Sequence, residues 1–163
     1  MANIPGWLEE HCFRLRDDGF NVRNLNLNIR RLSSPAMIVF LSEALKENKR
    51  IETVNMTSSL TNTQRYKDAE IIFPLADAIR RHVSLRTLHL SYNRLRDVSS
   101  LALNLEMNQS SLTELYLDHN RLGLDTAIAL ARVIQRNDKL AEIGRAHVWT
   151  PVTQWSRMPS SAW

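Results

Sequence analysis

Histidine is the first side chain to test for metal or acid–base chemistry, because imidazole alone changes charge near neutral pH at its ordinary pKa. His89 and His119 are the two that fall in the most regular part of the chain. Neither has a carboxylate or thiol at the spacing a tetrahedral metal site requires, so both are read as solvent-facing strand residues. Cys12, the single cysteine, follows His11. On a helix, sequence neighbours point apart, so a thiol–imidazole nucleophile is not expected there and Cys12 reads as a buried or half-buried structural thiol. Only four glycines are present, at 6, 19, 123 and 144, and so scattered a set cannot form a phosphate-cradling loop. No catalytic residue, metal or cofactor is expected, and the chain is not read as an enzyme.

The bulk composition is that of an ordinary globular chain: 163 residues, 44% hydrophobic and 23% charged. The longest apolar run, Ala36–Leu41, is far shorter than the roughly 18 residues a membrane-spanning helix needs. The first 19 residues mix Trp7, Leu8, Phe13 and Leu15 with six charged side chains and lack the apolar centre of a signal peptide. A lone cysteine excludes an internal disulfide framework. These features together lead to the expectation of a cytoplasmic protein.

What positions the histidines is a repeat. The segment Leu85, Leu88, Leu90, Asn93, Leu95 recurs 27 residues later as Leu112, Leu115, Leu117, Asn120, Leu122. Weaker copies begin at Val22, with Leu25, Leu27 and Leu32, and at Ile51, with Val54 and Met56. Arg30 and Ser59 stand where the later copies have asparagine, and the Ile51 copy lacks an apolar residue at the last framework position. Starts at 22, 51, 85, 112 and 140 give intervals of 29, 34, 27 and 28. Positions one, four and six would send the apolar side chains of a short strand into a shared core. The structural asparagines, Asn93 and Asn120, would satisfy backbone groups at the turn leaving the strand. Turns built on Arg30 and Ser59 should be less regular. Between strands, helical spacing appears at Ala36–Lys46, Ala69–His82, Val98–Met107 and Thr126–Ile134. Ile71, Leu75, Ala78 and Ile79 point inward in the second of these; Ala127, Leu130, Ala131 and Ile134 do so in the last. Pro74 is tolerable in a first turn and disruptive if deeper, and Asp97 or Ser99 suits an N-cap. The polar stretch 60–68 reads as a rim loop.

The unit LTELYLDHNRLGLDTAIALARVIQRNDK resembles the ribonuclease-inhibitor-like leucine-rich repeats over its whole length, and the likeness extends from Val22 to about Leu140. The resemblance implies an α/β leucine-rich repeat solenoid, a horseshoe with parallel strands on the concave face and helices on the convex face. It also implies protein binding on the concave side.

In that frame, positions three, five and eight face the concave surface. The candidate partner-binding residues are Asn26, Asn55, Thr87, His89, Tyr92, Glu114, Tyr116 and His119. Rings concentrate in the last two units, where aromatic side chains offer large contact area at low entropy cost. Position ten gives an arginine column, Arg31, Arg94 and Arg121, interrupted by Leu60; it could receive an acidic partner or serve as a solvated framework position.

The last stretch, 142–163, breaks the repeat and carries three of four tryptophans. It resembles the conceptual translation of a short-read sequencing adapter, with Trp149 and Trp155 standing for UGA codons. Under that reading Leu140 is genuine, Ile143 accidental, and the tail non-native and disordered. Residues 1–142 hold 19 basic and 17 acidic side chains, too small an excess for nucleic-acid binding. The expected organisation is an N-terminal capping helix region at 1–21, four repeats over 22–141 with a fifth beginning at 140, and the tail. The expected function is a protein–protein interaction module within a longer intracellular protein. Alternatives are a GTPase-activating regulator similar to the Ran activator and the ligand-sensing part of a multidomain receptor. Neither nucleic acid nor membrane is an expected partner. A capped chain should be monomeric, with self-association possible through an exposed C-terminal end.

Overall fold

The computed structural model describes residues 4–17, 20–60, 66–80 and 82–144. Among these, helices and three-residue strands alternate strictly: α1 (Gly6–Arg16), β1 (Asn24–Asn26), α2 (Pro35–Glu47), β2 (Thr53–Asn55), α3 (Asp68–Arg80), β3 (Thr87–His89), α4 (Ser99–Glu106), β4 (Glu114–Tyr116), α5 (Leu124–Arg136) and β5 (Glu142–Gly144). The strands form one parallel sheet in chain order. Each helix packs on the next, α1 on α2 through to α4 on α5. Parallel neighbours need a crossover connection, and here every crossover contains a helix.

The register joins equivalent repeat positions. Leu25 pairs with Val54, Val54 with Leu88, Leu88 with Leu115 and Leu115 with Ile143. The framework residues Leu27, Ile51, Met56, Leu85, Leu90, Leu112 and Leu117 are fully buried beside them, whereas Val22 is only half-buried. No unit could bury this apolar side alone, so stacking is what stabilises each one.

The asparagines do what their positions require. Asn120 Nδ2 donates to the carbonyls of Leu90 and Leu117, both at 2.9 Å, while its Oδ1 accepts from the Asn93 and Leu95 amides at 3.1 and 3.0 Å. Asn93 repeats the pattern one unit earlier, donating to Met56 and Leu90 and accepting from Leu60. The Leu60 bond corrects one expectation. The Ile51 unit does have its last framework residue, supplied one position early: Leu60 is fully buried, and its amide meets Asn93 Oδ1 at 2.8 Å as that of Leu95 meets Asn120. Residues 61–65 of the expected rim loop lie outside the described residues. Ser59 reproduces half of the asparagine's work, its hydroxyl donating to the Leu27 carbonyl, and the Ser59 carbonyl accepts from the Leu32 amide at 3.0 Å.

Position eight carries a shared backbone feature. Ile29, Ser58, Tyr92 and His119 all have left-handed φ, between 55° and 62°. This conformation crowds Cβ against the backbone and is least tolerable for a β-branched side chain. Ile29 is also 73% exposed, so little packing offsets the strain. The variant Ile29→Asn is expected to gain about 1 kcal/mol, read as a higher urea midpoint at unchanged slope; a lower midpoint would contradict the strain.

The helices match their spacing with three exceptions. In α5 the buried residues are Thr126, Leu130 and Val133, while Ile134 is 68% exposed and Ala131 also faces out, so the expected Ala127–Ala131–Ile134 face is rotated. Thr126 draws the helix round: its hydroxyl accepts from the Val98 amide and donates to Asp97 Oδ1. The N-cap of α4 is Val98, and neither Asp97 nor Ser99 holds that position. Asp97 still serves the helix start by accepting the Ser99 amide at 2.8 Å. Pro74 lies beyond the first turn of α3, where it removes one backbone donor from the helix; its neighbours Ile71, Ile72, Leu75 and Ala76 are nevertheless buried. The boundary expected at 142 falls inside the sheet. Glu142–Gly144 forms β5, and Ile143, expected to be accidental, occupies position four against Leu115. The exposed ladder of β4 pairs with any extended segment that offers an apolar residue there. Gly144 suits the place, since a Cβ on it would fall 2.5 Å from Tyr116 Cδ1.

A second polar row closes the helix ends. Asn48 Oδ1 accepts the Arg50 and Ile51 amides while its Nδ2 donates to the Leu15 carbonyl. Asn137 does the same with Lys139, Leu140 and Leu105. His82 takes the equivalent place, its Nδ1 accepting from Ser84 and Leu85. Burial pushes its pKa down, against the opposing pull of the Asn48 and Leu45 carbonyls, and Nε2 has no well-formed partner. A histidine with a depressed folded pKa binds its proton more readily in the unfolded chain. Its cost is therefore absent above pH 6.5 and grows as pH falls below that value. Melting temperatures from pH 7.5 to 5 should drop more steeply for the natural chain than for His82→Asn; parallel curves would exclude the effect.

Candidate protein-interaction face

Because the buried residues of each strand alternate with outward ones, positions three and five lie on the sheet face opposite the core. Asn24 and Asn26 are exposed, while Thr53, Asn55, Thr87, His89, Glu114 and Tyr116 are half-buried. The left-handed turn then projects Tyr92 and His119 from the same edge, both exposed.

Two pairs of rings stack across β3 and β4. His89 lies on Tyr116 with centroids 4.5 Å apart and planes within 10°. Tyr92 lies on His119 at 4.0 Å and 9°, and its hydroxyl is 3.2 Å from His119 Nε2. Strands about 4.8 Å apart place equivalent side chains at stacking distance, so the pairing follows directly from the repeat. Around them, Thr87 donates to Glu114 Oε2 at 3.1 Å, and the Tyr116 hydroxyl is 3.5 Å from both Glu114 and Glu142. Desolvation and these two carboxylates push the Tyr116 phenol up from its ordinary pKa.

The repeat frame alone did not point to the support beneath His119. Asp118 Oδ2 lies 3.0 Å from His119 Nδ1, and Oδ1 accepts the Ser91 hydroxyl. Burial pushes the Asp118 carboxyl up, but hydrogen bonds from Ser91 and His119 outweigh it and hold the pKa below its usual value. Ser91 and Asp118 are both at position seven, so a search by column would have found them.

Asn26 and Asn55 are turned toward their own chain, accepting the Asn28 and Thr57 amides at 3.0 Å. The outward side chains of the sheet face that carry rings are therefore concentrated at β3 and β4. Cys12 is fully buried, with its thiol pushed up to about 11 by desolvation, a shift that Arg16 only partly opposes. A thiol so held is a poor nucleophile. The imidazole of His11 turns to the Trp7 carbonyl and away from Cys12. Of the arginine column, Arg94 and Arg121 line one pocket with Arg96, and Arg31 lies outside it. Among the described residues no three His, Cys, Asp or Glu side chains come together as a metal cluster, and no helix is long and apolar enough to cross a membrane.

Stacked strand–helix units, an in-register parallel sheet and a buried asparagine ladder define a leucine-rich repeat type of fold. Comparison with known proteins is consistent with this and narrower. The chain is 30% identical to human leiomodin-3 over 135 residues, covering 80% of this chain and 23% of the relative. Mouse leiomodin-3 gives 29% identity over the same length, with 22% of the relative covered. The chain thus spans less than a quarter of the curated relatives it matches. Among solved structures, the actin-binding site 2 of leiomodin-1 superposes with a TM-score of 0.71 at 18% identity, over 93% of this chain and 86% of that one. The tropomodulin C-terminal domain of Caenorhabditis elegans gives 0.70 at 24%, over 90% and 85%. At these identities the structural likeness concerns the fold. No protein-family model matches the chain.

Proposed function

We propose that this chain is a protein-binding module whose partner is actin, engaged through the sheet face and the turns that come after β3 and β4. The observation carrying the proposal is the match to leiomodin-3 over 80% of the chain together with the fold shared with actin-binding site 2 of leiomodin-1, and two stacked ring pairs would supply the recognition chemistry. Tyr92, Tyr116, His89 and His119 would form the centre of contact, with Thr87 and Glu114 as polar flanks and Asn26 and Asn55 at the margin. The proposal includes a solenoid of the ribonuclease-inhibitor-like kind, with this face concave, the α1 region as an N-terminal cap and a cytoplasmic location. Nothing ties Arg94 or Arg121 to a nucleotide site, so the actin reading is preferred to a GTPase regulator.

The adapter-like translation over 142–163 belongs to the same proposal, with β5 as a chance continuation of the sheet. Genomic DNA read across codon 141 tests it, and the same tail found there would refute it.

Co-sedimentation of the full chain with actin filaments, and anisotropy with labelled monomeric actin, test the main proposal. Saturable binding at micromolar concentration to either form is expected. Absence of binding to both would overturn it.

A further inference from the structure

One pocket gathers four cationic side chains, Lys67, Arg94, Arg96 and Arg121, the three arginines close in sequence to the ring-bearing turns. It has a volume of about 590 Å³ and is lined by Tyr66, Lys67, Asp68, Asn93, Arg94, Arg96, Asp97 and Arg121, among others. The guanidinium groups of Arg94, Arg96 and Arg121 form no ion pair among the described residues, although eight pairs occur elsewhere, from Arg14–Glu10 to Arg136–Glu106. The two acids of the lining are already engaged. Asp68 Oδ2 accepts the amides of Arg96 and Asp97 at 2.5 and 2.8 Å, and Asp97 Oδ1 accepts from Ser99 and Thr126. Hydrogen bonds from Ser99 and Thr126 hold Asp97 below the usual carboxyl range despite the opposing effect of burial. One oxygen of each acid is thus committed to amides or to the Thr126 hydroxyl, and neither acid pairs with the arginine forks, which are left to an outside ligand.

We infer that this pocket receives a carboxylate-rich segment of the protein partner. The inference rests on the protein-binding reading and names the chemistry of one part of that interface. Planar guanidinium forks match carboxylates in a bidentate way. A phosphate site would instead draw on a cradle of free backbone amides, and the Arg96 and Asp97 amides that would provide one are occupied by Asp68. Two of the pocket's arginines also come two residues after ring-bearing positions. Tyr92, Asn93 and Arg94 are consecutive, as are His119, Asn120 and Arg121, so a chain crossing the stacked rings arrives directly at the arginines. The left-handed backbone at both Tyr92 and Arg94, φ 59° and 57°, turns the two side chains out from one tight corner.

A fluorescein-labelled hexaglutamate peptide is the probe, measured by anisotropy against the full chain. The natural chain should bind it in a salt-sensitive manner, and Arg94→Gln/Arg121→Gln should weaken it about tenfold. Arg94→Lys/Arg121→Lys, which keeps charge and loses the fork, should fall between the two. The charge-matched control Arg14→Gln/Arg132→Gln should bind like the natural chain, and circular dichroism melts confirm that each variant is folded. Failure of the natural chain to bind, or equal weakening by the control pair, would overturn the inference. Displacement of the peptide by equimolar inorganic phosphate would overturn it in favour of a phosphate site. Actin co-sedimentation run in parallel keeps the two ideas separate. Actin binding without peptide binding sinks only the pocket, and peptide binding lost on Arg94→Gln/Arg121→Gln without actin binding sinks only the choice of actin.

Discussion

Asn120→Ala is expected to lower the stability of this protein by about 3–5 kcal/mol, because four buried hydrogen bonds end on that one side chain. Two carbonyls and two amides would lose their partners in a place water cannot reach, and each such group costs about 1–3 kcal/mol. A domain of this size has only about 5–15 kcal/mol in total. The loss should appear as a sharp fall in the urea midpoint or, at the upper end, as a failure to fold at room temperature. Ser59→Ala supplies the contrast. Its hydroxyl makes one strong inter-unit bond, to Leu27, with a longer one to Thr57, so a loss of about 1–2 kcal/mol is expected. Equal midpoints for the two variants would mean that the asparagine ladder contributes far less than its geometry implies.

On the actin reading proposed above, Tyr92→Ala/Tyr116→Ala should reduce affinity for actin by about a hundredfold while leaving the fold intact. Each tyrosine stacks on a histidine and stands on the outward face, with Tyr92 48% exposed. Central aromatic residues of interfaces commonly cost about 2 kcal/mol or more on truncation, which is about thirtyfold each. Coupling within one interface makes the pair less than additive. Co-sedimentation gives the affinity and a thermal melt gives the fold. An unchanged affinity with an unchanged melt would move the contact surface elsewhere on the molecule.

The parts of this structure that can be read directly from the chain are those fixed by repetition. Leu88 and Leu115 recur at one spacing with Asn93 and Asn120, and such a pattern allows only one register, so it dictates the columns of the sheet. The stacking of His89 on Tyr116 is implicit in those columns. Other features depend on neighbours that the spacing does not contain. The framework role of Leu60 is hidden because a shortened turn brings it to its place one residue early. The inward face of α5 is hard to choose from apolar spacing, since Leu124, Ile128 and Ile134 form a second stripe on the same helix, and the hydrogen bonds of Thr126 favour the face that buries Leu130 and Val133. The place of Ile143 in the sheet depends on its neighbour in another way. The edge of β4 offers unpaired ladder groups to the segment beside it, and Leu115 meets Ile143 there.

The bracing of His119 by its neighbour Asp118 depends on Ser91, which holds position seven of the preceding unit as Asp118 does of its own and meets it only across the strands. Ligand spacings along the chain do not capture such a set. The arginines divide in the same way. Arg31 belongs to the column by count, yet only Arg94 and Arg121 share a pocket, because the intervening unit places a buried leucine where an arginine would have bridged them.

The rungs at the asparagine position are unequal in strength: an asparagine amide ties the unit of β3 to that of β2, another ties the unit of β4 to that of β3, and between the units of β2 and β1 a serine hydroxyl stands in that place. In a stack where each layer touches only its neighbours, local opening begins at the weakest junction and need not spread past the strong ones. Amide exchange should therefore divide the molecule between Leu27 and Val54, with the strands of the last two complete units exchanging as one block. The surface with the stacked rings sits on that slower block, so the first layers can breathe while the ring surface keeps its shape.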